Sequence, residues 1–539
     1  MTSGEELGRR EGRRVAVQAE LDAERSQAER NRMGQFATPA ALARDIAEYA
    51  VSLTQPEAPI RFLEPALGSG SFFSALLQSV PAERVESGWG VELDTRFAAA
   101  AQRVWGDFGL EVVEGDFTSV FGDLPRANLI LTNPPYVRHH HLDPDRKRRL
   151  RAASAVAGLS VNGLSGLYVY FVALSHLCMD DGAVAAWLIP SEFMDVNYGS
   201  ALRDYLSRRV ELIRIHRFDP EDAQFEDALV SSAVVVFRNR RPAPGGAAQL
   251  TFGGTMMAPA KAEEVPVESL RKSRKWTTYP RAGEGRAGEA RAAGKAVALG
   301  DLFKIRRGIA TGANRFFIME LRRARRLGLP AERLKPILPS PRHLTADVIE
   351  ALPDGYPDLS PALVVIDCDK QAEEVQTRWP SLWRYLETGA AEGIRDRYLM
   401  RNRAPWYRQE RRDPPPFLCT YMGRAKTSEK PFRLIWNKSS AIAANVYLLL
   451  YPIGPLAATL ENRPDLAGAV FDALSSLEPR EMKEEGRVYG GGLHKIEPAE
   501  LARVPAETIM REIAELGQAN EADALLPGAG EDRQIPLWA

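Results

Sequence analysis

Phe62-Leu63-Glu64-Pro65-Ala66-Leu67-Gly68-Ser69-Gly70-Ser71-Phe72 decides how the rest of this sequence is read. A short apolar run, Arg61–Glu64, ends on a carboxylate. Two glycines follow, and a helix-like stretch, Ser71–Val80, takes over. Glycine tolerates positive φ and lets backbone approach a ligand closely. In an open parallel sheet a strand–turn–helix of this kind lies at the crevice beside the carboxyl ends of the strands.

Outward from that turn the pattern repeats. Further strand-like runs are Gly88–Leu93, Glu111–Val113, Asn128–Thr132, Ala183–Ile189, Leu212–His216 and Ser232–Phe237, with helix-like segments such as Arg96–Trp105 between the early ones. Nearly unbroken apolar strands alternating with helices predict an α/β fold, a doubly wound and mainly parallel sheet. Pro242, Pro244, Gly245 and Gly246 are expected to close the unit.

The next strand tips carry the chemistry. Glu92 lies 22 residues beyond Gly70, where an acid at the second strand tip is placed to bind ribose hydroxyls. Asp116-Phe117 follows the third strand: the carboxylate can accept from an adenine amino group while the ring covers the base. Either acid could instead only cap the next helix. Glycine turn, Glu and Asp-Phe on three consecutive tips together describe a nucleoside pocket with no phosphate-binding feature. A fourth strand ends in Asn133-Pro134-Pro135-Tyr136. A base's exocyclic amino nitrogen is a poor nucleophile because its lone pair is delocalised into the ring. Acceptors on both N–H bonds, here the Asn133 side-chain oxygen and the Pro134 carbonyl, favour a pyramidal nitrogen with that pair free. The prolines stiffen the loop, and Tyr136 can stack on the base.

Composition sets the outer limits. The 539 residues are 45% hydrophobic and 26% charged, which fits two to four globular domains. Three scattered cysteines (Cys178, Cys368, Cys419) offer neither a disulfide framework nor a cysteine zinc site, and no metal is implied. Neither an apolar leader nor an apolar run of ~18 residues occurs, so a cytoplasmic protein without a membrane span is expected. Net charge is −1, yet Arg271–Lys295 holds eight Lys/Arg against two Glu, and Arg395–Lys438 twelve against four acids. Two basic islands in an otherwise acidic chain read as footprints for a polyanion, or as solvated loops. Trp406, Tyr407, Tyr421 and Trp436 punctuate the second island.

The expected organisation is a solvated or frayed N-terminal helical arm (1–32), a catalytic domain (33–260), a basic linker or loop (261–298) and an α+β domain (299–539). His139-His140-His141 beside the basic Arg146–Arg151 suits a solvated or DNA-facing loop better than a metal site. Cys178, Tyr168 and Tyr170 are expected in the core.

Gly34-Gln35-Phe36-Ala37-Thr38-Pro39, the Glu64–Gly70 turn, Glu92, Asp116-Phe117 and Asn133-Pro134-Pro135-Tyr136 resemble, in type and order, the motifs of gamma-class (TaqI-like) adenine-N6 DNA methyltransferases of restriction-modification systems. The resemblance covers the first ~240 residues and continues more weakly through Arg307–Gly312, Asn445-Val446-Tyr447 and Tyr489–Leu493. It implies a Rossmann-like seven-stranded methyltransferase sheet followed by a target-recognition domain, with S-adenosylmethionine as cofactor. Phe36, Thr38 and Pro39 would contact its methionine moiety, Glu64, Gly68 and Gly70 its amino-acid end, Glu92 the ribose, and Asp116 with Phe117 the adenine. Asn133, Pro134 and Tyr136 would handle the target base. A second stacking aromatic is usual in the family; Tyr198 is the candidate, ahead of Phe193. Arg401, Arg403, Arg408, Arg411, Arg424, Lys426 and Lys438 would meet duplex DNA. The protein would act as a monomer, with any cleavage belonging to a separately encoded restriction endonuclease. The same loop chemistry also serves RNA bases and protein glutamine, and a silent DNA-binding descendant is a further alternative.

Overall fold

In the computed structural model the described residues are 3–137, 143–161, 165–196, 199–219, 231–280, 297–424, 430–489, 492–507 and 509. The chain divides near residue 285 into two units.

The first unit begins with helices α1 (Ser3–Ala23), α2 (Gln27–Met33) and α3 (Ala40–Ser52). The alternation then runs β1 (Ile60–Glu64), α4 (Ser71–Ser79), β2 (Val85–Glu92), α5 (Thr95–Trp105), β3 (Leu110–Glu114), α6 (Phe117–Val120) and β4 (Ala127–Thr132). It continues as α7 (Pro144–Val156), α8 (Leu167–Leu177), β5 (Met179–Pro190), α9 (Ser200–Arg208), β6 (Glu211–Arg217) and β7 (Ser232–Arg238). Every strand expected from sequence is present within a few residues of its expected ends.

Sheet order is β3-β2-β1-β4-β5-β7-β6. Strands β3 to β5 are parallel, and β7 runs antiparallel between β5 and β6. Chain order reverses between β1 and β4, so the ligand crevice belongs beyond their carboxyl ends, where Glu64 and Asn133 stand. The sheet is buried on both faces, as parallel sheets are. Within β5, Ala185, Trp187 and Ile189 join one core cluster while Val184, Ala186 and Leu188 join the other, the period-2 alternation of a strand.

Two expectations are corrected. The glycine–proline stretch at 242–246 is a turn, not the end of the unit. Strands β8 (Ala247–Gly254) and β9 (Pro259–Pro266) extend the sheet to nine strands, with β8 parallel to β6 and β9 antiparallel to β8. A boundary at 260 therefore cuts β9, and the start of the expected linker is strand followed by helix α10 (Val267–Lys272). Trp276 is 1% exposed in the same core, its amide donating to the Met194 carbonyl at 3.0 Å. The N-terminal arm is likewise no solvated spacer. Leu7 packs on the core cluster, and Arg10 donates to the Val104 carbonyl at 3.1 Å.

The second unit is α+β, as expected. Its largest sheet has five strands in the order 303–307, 447–452, 417–420, 434–437 and 348–349. The first four are antiparallel and the last is parallel to its neighbour. Cys178, Cys368 and Cys419 are buried and free. No helix among the described residues is long and apolar enough to cross a membrane.

Candidate active site

The rim above β1, β2, β3 and β4 holds a cavity of about 300 Å³. Phe36, Thr38, Glu64, Gly68, Glu92, Asp116, Phe117 and Asn133 all line it. Residues separated by up to 97 positions in sequence thus converge because successive parallel strands end on one edge. Pro39 and Gly70 stand one step back. Pro39 precedes α3 and its carbonyl accepts from the Ala43 amide (2.9 Å). Gly70 takes φ 85° before α4, and a Cβ there would press on the Trp105 ring at 2.8 Å. Its glycine leaves room for the Trp105 ring of α5 against the turn.

The carboxylates differ in environment. Glu64 is fully buried and accepts from the Phe73 amide (3.3 Å); burial pushes its pKa well above the ordinary 4.5. Glu92 accepts from the Gly68 amide (2.7 Å) and the Asp94 amide (2.8 Å), tying the glycine turn to the second strand tip, and burial raises it too. Asp116 Oδ1 caps α6 by accepting from Thr118 N (3.0 Å), while Oδ2 accepts from Arg146 of α7 (2.6 Å). Asp116 thus caps a helix and also lines the pocket. Phe117 lies 5.1 Å from the Phe171 ring, and both rings line the cavity.

At the fourth tip, Asn133 Nδ2 donates to the Phe36 carbonyl (3.0 Å) and to Thr38 Oγ1 (3.2 Å). Two acceptors on the nitrogen fix the amide's orientation. Its Oδ1 is buried and has no hydrogen-bond partner, a state that ordinarily costs about 1–3 kcal/mol. The loop is held from below by Tyr136 N donating to the Gly34 carbonyl (3.0 Å). Gly34 has φ 66°, and a Cβ there would sit 2.4 Å from Tyr136 N, so only glycine fits. Tyr136 is 9% exposed, its hydroxyl donates to the Leu188 carbonyl (3.1 Å), and its ring centre is 5.5 Å from that of Phe36. Pro135, rather than Pro134, lines the cavity.

Tyr198, Lys426 and His139 to His141 lie outside the described residues. Phe193 is fully buried against Trp276, which places it in the core. Tyr168 and Tyr170 are buried in α8, as expected.

Sequence reading expected the N-terminal helix but missed its part in the site. Gln18 and Arg25 line the cavity. Arg25 pairs with Asp94 (2.6 Å), and Arg14 donates to Ser69 Oγ and Ser71 Oγ.

In the second unit the expected DNA contacts separate into two groups. Arg401, Arg408 and Arg424 are exposed. Arg403 turns inward to the Ala310 carbonyl (2.6 Å), Arg411 pairs with Asp369, and Lys438 pairs with Glu350 (2.7 Å) over the Trp436 ring. Tyr407 and Tyr421 are core residues.

This sheet, with Glu64, the glycine turn, Glu92 and Asp116-Phe117 around one nucleoside-sized cavity, defines an S-adenosylmethionine-dependent methyltransferase. The Eco57I restriction-modification methylase family profile matches residues 112–225, and that of the type II methyltransferase M.Eco57I C-terminal domain matches 273–530. The type II methyltransferase M.XamI of Xanthomonas campestris pv. amaranthicola is 29% identical over 88% of this chain and 85% of its own length. M.AccI of Acinetobacter calcoaceticus is 23% identical over the same shares. A DrdV–DNA complex solved by cryo-electron microscopy shares the fold with a TM-score of 0.54 at 12% identity. The match covers 95% of this chain but only 59% of the DrdV chain. Along most of its length the chain thus resembles type II restriction-modification methyltransferases.

Proposed function

We propose that this methyltransferase acts on duplex DNA, moving a methyl group from S-adenosylmethionine to N6 of an adenine rotated out of the helix. One observation carries the reading: Asn133 is locked through its nitrogen and presents a buried, unpartnered oxygen. Such an oxygen is an acceptor prepared in advance for the N–H of an incoming amino group, and preorganised acceptors cost no rearrangement during reaction.

The chain's own residues then divide the work. Glu64 faces the ammonium end of the donor, Glu92 its ribose, and Asp116 and Phe117 its adenine. Asn133 and the Pro134 carbonyl hold the target amino group in line with the sulfonium methyl, which is the group the cofactor supplies. Alignment is the main source of rate for such a direct transfer. Drawing the base out of the duplex costs a few kcal/mol, of which stacking on Tyr136 returns about 1–3 kcal/mol. The likeness to two type II methyltransferases supports a protective role at the site of a separately encoded restriction endonuclease.

Single-molecule sequencing of DNA from a methylation-free bacterial host expressing the chain should show modified adenines in one sequence motif. Modification at cytosine N4 would overturn the base assignment. Labelled methyl in RNA or protein, with none in DNA, would overturn the substrate.

A further inference from the structure

We propose that the groove beside the Thr311–Arg315 turn, in the second unit, seats the phosphodiester backbone of a nucleic-acid duplex. This rests on the DNA reading above, and it moves the contact away from much of the 395–438 island.

The turn is built to be rigid. Gly308 lies so close to its neighbours that a Cβ would stand 2.2 Å from the Ala444 carbonyl. Arg403 grips the turn from behind, donating to the Ala310 carbonyl (2.6 Å) and the Thr311 carbonyl (3.4 Å). Thr311 is buried, accepts from the Ala313 amide (3.2 Å) and donates to Asn314 Oδ1. Behind Arg315, the Phe316 ring stacks on Tyr385 (4.7 Å between centres, 13° apart), and the Tyr385 hydroxyl donates to the Phe316 carbonyl (2.7 Å). The turn borders a cavity of about 610 Å³.

The charge around that cavity is net positive. Arg315, Arg323 and Arg397 line it and are exposed, while Glu392 is the one carboxylate among its lining residues. Arg397 reaches only the Gly312 carbonyl, at 3.4 Å, and none of the three arginines has an ion pair among the described residues. Several basic side chains of the 395–438 island are neutralised, Arg411 by Asp369, Arg433 by Asp347 and Lys438 by Glu350, whereas Arg401 and Arg408 are exposed and have no ion pair among the described residues. A high count of basic residues is thus no guide to where a polyanion sits. Three unpaired guanidiniums around a rigid turn raise the local positive potential and suit repeated phosphates. Arg401 continues the line, its amide donating to the Arg397 carbonyl (3.0 Å).

The test is the salt dependence of binding. A fluorescent duplex of arbitrary sequence is titrated with the full chain at several salt concentrations. The triple variant Arg315→Gln, Arg323→Gln, Arg397→Gln should lose about two to three from the slope of log K against log salt, because each phosphate contact contributes about 0.9. Binding should weaken tenfold or more, with calorimetric S-adenosylmethionine affinity unchanged. A control triple, Arg378→Gln, Arg463→Gln, Arg480→Gln, removes arginines already paired with acids and should leave the slope intact. An unchanged slope in the groove variant, with normal DNA binding by the parent, overturns this seat alone. A parent chain that binds no duplex overturns the DNA reading and this seat with it.

Discussion

Arg14 donates to Ser71 Oγ at 2.8 Å across 57 residues of sequence. The same nitrogen donates to Ser69 Oγ at 3.0 Å, and the rest of the guanidinium is gripped by both oxygens of Glu11 (2.6 and 2.7 Å). Glu11 in turn accepts from Ser74 Oγ of α4 (2.6 Å). At 3% exposure, Arg14 fastens α1 onto the glycine turn proposed to hold the donor's amino-acid end.

Arg14→Ala should therefore weaken S-adenosylmethionine binding in calorimetry by about tenfold or more. Hydrogen bonds to charged groups contribute about 1.5–3 kcal/mol each, and 1.4 kcal/mol is tenfold in affinity. Arg14→Lys should recover only part, since an ammonium lacks the planar fork that meets two hydroxyls and a carboxylate together. DNA affinity should not move. Equal losses of both affinities would mean that the unit merely unfolds.

Asn133 offers a cleaner separation of binding from chemistry. Asn133→Ala removes the acceptor oxygen and should lower methyl transfer into duplex DNA by about 100-fold or more, the range seen when one preorganised polar contact to a reacting group is lost. Donor affinity should stay within a few-fold. Asn133→Asp keeps an acceptor but loses the Nδ2 bonds to the Phe36 carbonyl and Thr38 Oγ1, so it should fall between the two. Undiminished transfer by Asn133→Ala would end the proposed role of this loop.

Glu64 should couple donor binding to pH. Burial raises its pKa, so in the donor-free protein the neutral carboxyl persists to pH values where an exposed Glu is ionised. Its contribution to folding is present below the ordinary 4.5 and is lost as pH rises through the raised value. A bound ammonium favours the carboxylate, so binding should release a proton, and affinity should fall as pH drops through the raised pKa. Calorimetry in buffers of different ionisation enthalpy reads that proton directly. Glu64→Gln should abolish the buffer dependence; a wild-type heat independent of buffer would remove Glu64 from the ammonium site.

How much of this was legible in the sequence follows from where the information lies. Strand tips are local: an apolar run, then Gly, Glu, Asp-Phe or Asn-Pro-Pro-Tyr, and each landed on the expected edge. The Arg14 clasp is not local, because its partners lie 55 and 57 residues away and α1 alone reads as a mixed-charge solvated helix. Strand β9 was hidden for another reason. It is an edge strand, mostly exposed, that carries Lys261, Glu263 and Glu264, and edge strands carry the charge and proline that mark linkers. In the basic island a charge count does not see the acids that pair with Arg411 and Lys438.

The second stacking aromatic gives the last prediction. Phe193 is fully buried, its ring 6.5 Å from Trp276 and edge-on to it at 78°. Trp276 is itself fixed by Nε1 donating to the Leu270 carbonyl at 2.8 Å. A Cβ on Gly199 would come within 2.2 Å of the Phe193 carbonyl, so the backbone at Phe193 is closely packed. Phe193→Ala should thus act as a core truncation, costing about 3–5 kcal/mol and lowering the melting midpoint by several degrees. Below that midpoint, turnover and the fluorescence of 2-aminopurine placed at the target adenine should stay near wild type. Tyr198→Ala, at the position expected to stack, should leave the midpoint alone and shift that fluorescence. An unchanged melting midpoint together with a lost flipping signal in Phe193→Ala would reverse the assignment, making Phe193 the stacking partner after all.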